Sequence, residues 1–133
     1  MRNDDVKKWL GSAESDMELS LKGKASKKIL YITLCYHSQQ AVEKSLKAVL
    51  IHLDKRYPHT HDISVLFNLI EETNIEIPNI IKPATEFTKY VIWRYPDDIF
   101  EIEKEEYKHV IVIAQKVLKW AKSIIKKDNS KLF

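Results

Sequence analysis

Cysteine, glycine, proline and arginine are all scarce in this chain of 133 residues, and each shortage narrows what it can be. Two glycines and four prolines are few for a fold built on tight turns, which argues against a β-sandwich or barrel and leaves helices as the default. Cys35 is the only cysteine, so an intrachain disulfide and a cysteine-based zinc site are both excluded. No apolar run approaches the roughly 18 residues that span a bilayer, and the amino terminus lacks the apolar core of a signal peptide. A soluble, cytoplasmic protein is therefore expected. The formal charge of +3 is too small to mark a nucleic-acid binder. Among the 22 basic residues only Arg2, Arg56 and Arg94 are arginines. Lysine on a helix surface is mainly a solvation choice, whereas a scarce arginine more often holds a planar carboxylate or phosphate.

What is present is helical periodicity. An apolar fraction of 44% is ordinary for a globular chain, and the length suits one domain over residues 1–133 with its own core. A long central helix is predicted over residues 26–54, its regular part beginning at Ile29. Leu34, Cys35, Ser38, Ala41, Val42, Ser45, Leu46, Val49 and Leu53 recur at three- and four-residue steps on one face. Cys35 lies on that face, as a buried structural thiol would. His37, Gln40, Glu43, Lys44 and Lys47 fall on the opposite face. Small residues at 41, 45 and 48 would let a neighbouring helix approach closely.

Before it, a helix starts near Asn3-Asp4-Asp5, where acidic side chains suit the positive end of the helix dipole. Gly23 is its predicted C-cap, and Ser26 a candidate N-cap for the long helix. After it, residues 55–62 form a loop stiffened by Pro58, and Asp62 or Thr60 caps a third helix that stops at Thr73-Asn74. Residues 75–83 form an irregular crossing. A fourth helix spans about Ala84 to Trp93 and a fifth about Glu103 to Lys127, with residues 128–133 as a frayed tail. The class is all-α: an up-and-down bundle of about five helices. Strict alternation of direction would bring the loop around His61, the loop around Arg94 and the amino terminus to one pole.

The candidate chemistry is sparse. His59 and His61 alternate in one loop, but zinc needs three or four convergent ligands. His37 and His52 stand about 22 Å apart along the helix and cannot share a metal. No metal site or cofactor is expected. Arg94-Tyr95-Pro96-Asp97-Asp98 is either a helix stop with Arg94 paired to a neighbouring Asp, or an anion-binding arginine on a stiff loop. Gln40, Lys44 and Lys47 are either a solvated stripe or the lining of a phosphate groove. There is no Gly-rich phosphate loop and no nucleophile elbow.

Three segments in order carry a family resemblance: Tyr36-His37-Ser38-Gln39-Gln40-Ala41-Val42-Glu43-Lys44-Ser45-Leu46-Lys47, then Pro58-His59-Thr60-His61-Asp62-Ile63, then Arg94-Tyr95-Pro96-Asp97. Together they resemble the HEPN family, glossed as higher eukaryote and prokaryote nucleotide-binding. The resemblance implies a homodimeric helical bundle, often encoded beside a minimal nucleotidyltransferase with which it forms a toxin–antitoxin or regulatory pair. Many members are metal-independent ribonucleases, marked by an Arg followed four to six residues later by a His near the last helix. This chain departs from that signature: Tyr95 through Glu101 follow Arg94 without a His, and His109 lies too far along. Arg56 and His61 match the spacing but follow the long helix, and are read as coincidence. The leading expectation is thus a nucleotide- or RNA-binding subunit, with Arg94, Tyr95, Asp97, Lys44, Lys47 and Gln40 as contacts. The alternatives are a ribonuclease using Arg94 and His61 as a composite site, and a purely structural or interaction subunit.

Overall fold

The computed structural model describes residues 2–93 and 101–131, so Arg94, Tyr95 and Asp97 lie outside the described residues. The described residues are helical, with no strand among them. Helix α1 spans Arg2–Lys22 and α2 spans Tyr31–His52. Helix α3 spans Ile63–Glu71, a 3₁₀ segment covers Lys82–Thr88 and leads into α4, Lys89–Trp93, and α5 spans Lys104–Lys131.

The long helix starts later than its periodicity suggested. A 3₁₀ turn at Gly23–Ala25 is closed by Ser26 N–H donating to Gly23 O, and Ser26 itself is extended. Leu30 is the N-cap of α2 and supplies no side-chain cap, so Ser26 is not the cap. Gly23 is also not a left-handed cap, since no glycine has positive φ. Its role is close approach: a Cβ there would run into the buried Leu34 side chain. The left-handed residue is instead Asp54, at φ 56°, just past the end of α2. Asp54 N–H donates to Ile51 O at 3.0 Å and Lys55 N–H to Leu50 O at 2.9 Å, which satisfies the last carbonyls in a Schellman arrangement. Asn74, at φ 67°, follows α3 in the same way. Asp62 caps α3 as expected, accepting from Ser64 N–H at 3.0 Å.

Fourteen of the 22 residues of α2 are buried, including Gln39, Glu43 and Lys47, so it has no fully solvated face. Helix α1 packs antiparallel on it. Asp16 of α1 meets Lys44, and Ser20 bonds to Ser38 and to Leu34 O nearer the start of α2. Helix α5 begins beside the start of α2, where the Tyr107 and Tyr31 rings stack at 5.1 Å and Tyr107 O–H donates to Ser20 O at 2.7 Å. Among the described residues, no buried side-chain nitrogen or oxygen lacks a hydrogen-bond partner.

The segment after α2 doubles back rather than turning straight into an antiparallel helix. Tyr57 lies against Lys47, and His61 reaches Glu43, a full turn further back. Helix α3 then runs the same way as α2, since Glu72 at its far end pairs with Lys55 at 2.6 Å. The amino terminus does share a pole with the end of α2, where Arg2 and Asp5 meet Asp54 to Tyr57. His61 sits mid-helix instead, about 18 Å along α2 from its start. The described residues flanking 94–100 lie toward that start: Tyr90 bonds to Glu106 in the first turn of α5, and Ile102 sits beside Tyr31.

Candidate functional site

Glu43 is the centre of the one extensive charged cluster inside the described residues. Its carboxylate, 5% exposed, accepts from Lys47 Nζ at 2.9 Å, from Gln39 Nε2 at 3.1 Å, and meets His61 Nδ1 at 2.7 Å. The Gln39–Glu43 and Glu43–Lys47 spacings are both i, i+4, which stacks the three side chains along one face of α2. Burial by itself would raise the Glu43 pKa, but the bonds from Lys47, His61 and Gln39 outweigh it and hold the carboxyl below its ordinary value. Lys47, 8% exposed, lies 5.5 Å from the centroids of both the Trp9 and Tyr57 rings. The rings meet edge to face and shield the ammonium with their electron-rich faces. A buried Lys⁺ is costly unless paired, and here a carboxylate and two rings compensate it.

His61 differs from these neighbours: its side chain is 60% exposed while its anchor is buried. Its backbone is held on both sides. Thr60 Oγ1 accepts from Asp62 N–H, Thr88 Oγ1 donates to His61 O at 3.3 Å, and Thr88 Oγ1 accepts from Ile63 N–H. In the neutral form, Nδ1–H donates to Glu43 and leaves the Nε2 lone pair toward solvent. An imidazole oriented by a carboxylate is the arrangement that general acid–base chemistry uses, and protonated it is a fixed cation for a phosphate.

A second histidine–carboxylate pair lies alongside. His37 Nδ1 is 3.0 Å from Asp16 Oδ1, and Lys44 Nζ donates to Asp16 Oδ2 at 2.7 Å. Gln40 joins the two clusters by donating to Gln39 Oε1 at 2.7 Å. The polar stripe read from the sequence is therefore not a lysine-lined groove. Lys47 is enclosed, Lys44 is neutralised by Asp16, and Gln40 is half-buried with its amide engaged. Of the expected site residues the structure describes His61, Lys44, Lys47 and Gln40 and brings them around one stretch of α2. Sequence reasoning missed Glu43 as an anchor, together with Gln39, Asp16, Trp9 and Tyr57. The i, i+4 spacing of Glu43 and Lys47 was the one signal available, and it is equally common on exposed helices.

Among the described residues no group of three or more His, Cys, Asp or Glu is placed to hold a metal. No helix among them is long and apolar enough to cross a membrane.

The fold and this site define an all-helical bundle whose central helix carries polar chemistry in its interior. Residues 6–124 match the model of the HEPN domain. The chain is 32% identical over 142 residues to the Methanocaldococcus jannaschii protein named "Putative toxin MJ1304", covering 91% of this chain and 88% of that one. It also superimposes on the crystal structure of ST0689, described as an archaeal HEPN homologue, with a TM-score of 0.71 and 25% identity. That likeness covers 90% of this chain and 97% of the other. The chain belongs to the HEPN family.

Proposed function

We propose that this HEPN protein binds the phosphate of a nucleotide or RNA at His61, working as a homodimer and as the partner of a minimal nucleotidyltransferase in a toxin–antitoxin or regulatory pair. The observation that carries the reading is the half-open His61: Nδ1 locked onto the buried Glu43, Nε2 toward solvent. A side chain tied down this way loses little further entropy on meeting an anion, and its charge is available near neutral pH. Similarity to a protein named as a toxin supports placing it in such a pair. Arg94, Tyr95 and Asp97 are proposed to add to the phosphate and base contacts. Lys44 and Gln40 border His61 and supply positive potential and polarity rather than free ligands.

The same geometry favours a second reading, metal-independent RNA cleavage. Glu43 would hold the imidazole so that Nε2 takes the ribose 2′-hydroxyl proton. Arg94 would stabilise the charge that develops on phosphorus. Binding and cleavage of RNA in EDTA by wild type, His61→Ala and Arg94→Ala separate the readings. Binding that weakens in His61→Ala supports the site, and metal-independent cleavage abolished in both variants adds catalysis. RNA and nucleotide binding untouched by His61→Ala removes the site. Copurification with a nucleotidyltransferase and a dimer mass by light scattering test the assembly.

A further inference from the structure

Two of the three arginines meet at a groove that the site above does not use. A cavity of about 490 Å³ opens between the start of α1 and the end of α2, lined by Arg2, Asp5, Ile51, Asp54, Arg56 and Tyr57. That volume suits a small organic ligand. The lysines nearby are neutralised: Lys55 by Glu72 at 2.6 Å, Lys47 by Glu43, Lys44 by Asp16. Arg2 and Arg56 make no ion pair among the described residues and keep their planar donor forks available. Asp5 and Asp54 count against a bare phosphate, which they would repel, and in favour of a ligand that also carries donors, such as base amino groups and ribose hydroxyls. Ile51 and Tyr57 add an apolar and an aromatic wall. Tyr57 is held in place from behind by Trp9 and Lys47.

The groove is continuous with His61. Arg56 and Tyr57 belong to the segment that runs back along α2 to His61, and four residues of backbone span at most about 14 Å. We infer that this groove holds a second nucleotide of a single-stranded RNA whose neighbouring phosphate lies at His61: Arg2 and Arg56 take the phosphate, and Tyr57 stacks on the base. Single-strand binders combine basic side chains with such an aromatic platform. The inference rests on the RNA arm of the function proposed above.

The test uses the full chain and a short fluorescent 2′-O-methyl RNA oligonucleotide, which cannot be cleaved through its 2′-oxygen, with anisotropy read across a salt series. Arg2→Gln combined with Arg56→Gln is expected to weaken binding about tenfold or more and to flatten the salt dependence by about 0.7 per lost phosphate contact, about 1.4 in all. Lys24→Gln combined with Lys27→Gln makes the same charge change at the α1–α2 connection and should leave the slope unaltered. An unchanged slope in the arginine variant, or an equal loss in the lysine variant, overturns the inference. Binding that depends on His61 but not on the arginines removes only the second subsite. Failure of wild type to bind the oligonucleotide removes both it and the RNA arm of the proposed function. Unchanged melting temperatures confirm that the variants are folded.

Discussion

Glu43→Gln keeps the size of the side chain and removes its charge, which isolates what the buried carboxylate does. In the wild type it compensates Lys47, itself 8% exposed, and is 5% exposed itself. Removing one partner of a buried ion pair costs about 3–5 kcal/mol, chiefly because the other charge is left uncompensated. Two features move this case to the lower end. The amide oxygen can still accept from Lys47, and the Trp9 and Tyr57 rings each offer the ammonium about 0.5–2 kcal/mol of cation–π attraction. A loss of about 3 kcal/mol is expected at pH 7 from urea unfolding followed by circular dichroism, with an unchanged m-value. Lys47→Met should cost about 2 kcal/mol, because Glu43 retains His61 and Gln39. The double variant should cost less than the sum, with a coupling of about 2 kcal/mol. Acid adds a second signature. The folded Glu43 pKa lies below its unfolded value of 4.5, so the unfolded state binds the proton more readily. The stabilisation is present above pH 4.5 and is lost as pH falls below it, through the folded pKa. Glu43→Gln should lack that part of the acid sensitivity. A loss under about 1 kcal/mol with no coupling would refute the view that this cluster is an integral part of the core.

Three further outcomes are expected. Cys35 is fully buried, and burial, followed by the nearby Glu106 carboxylate and partly offset by Lys89, pushes its thiol up to about 12. A thiol reagent at pH 8 should therefore label it only after denaturant is added, and rapid labelling of the native protein would contradict the packing. Gly11 sits exposed within α1 with open space where a Cβ would point, so Gly11→Ala should stabilise by about 0.5–1 kcal/mol in thermal or urea unfolding. Gly23→Ala should instead destabilise by about 1–3 kcal/mol, because the added carbon meets Leu34. Asp62→Ala removes the α3 cap and should cost about 1 kcal/mol, and a shift in His61-dependent RNA binding would show that the cap also positions its neighbour.

The helices were legible because each carries its own periodicity and stop signals. Val6, Ala13 and Met17 line the buried side of α1, and Tyr107, Val110, Ala114, Val117 and Ala121 that of α5, as their spacing required. Asp62 as a cap and Asn74 as a stop were likewise local properties. The start of α2 was not legible, because residues 26–30 continue an acceptable helical pattern and only packing at Gly23 forces the chain into a 3₁₀ turn. Nor was the state of Glu43 and Lys47, since periodicity shows which residues share a face but not what covers it.

The sequence by itself determined an all-helical bundle and the HEPN family, since helical periodicity, caps and ordered segments are properties of neighbours along the chain. Tertiary structure decided the chemistry. The loop after α2 folds back along it, and that path alone sets Tyr57 over Lys47 and His61 on Glu43. These residues are between 10 and 18 positions apart. Their meeting depends on where the chain travels between them, which no local pattern encodes.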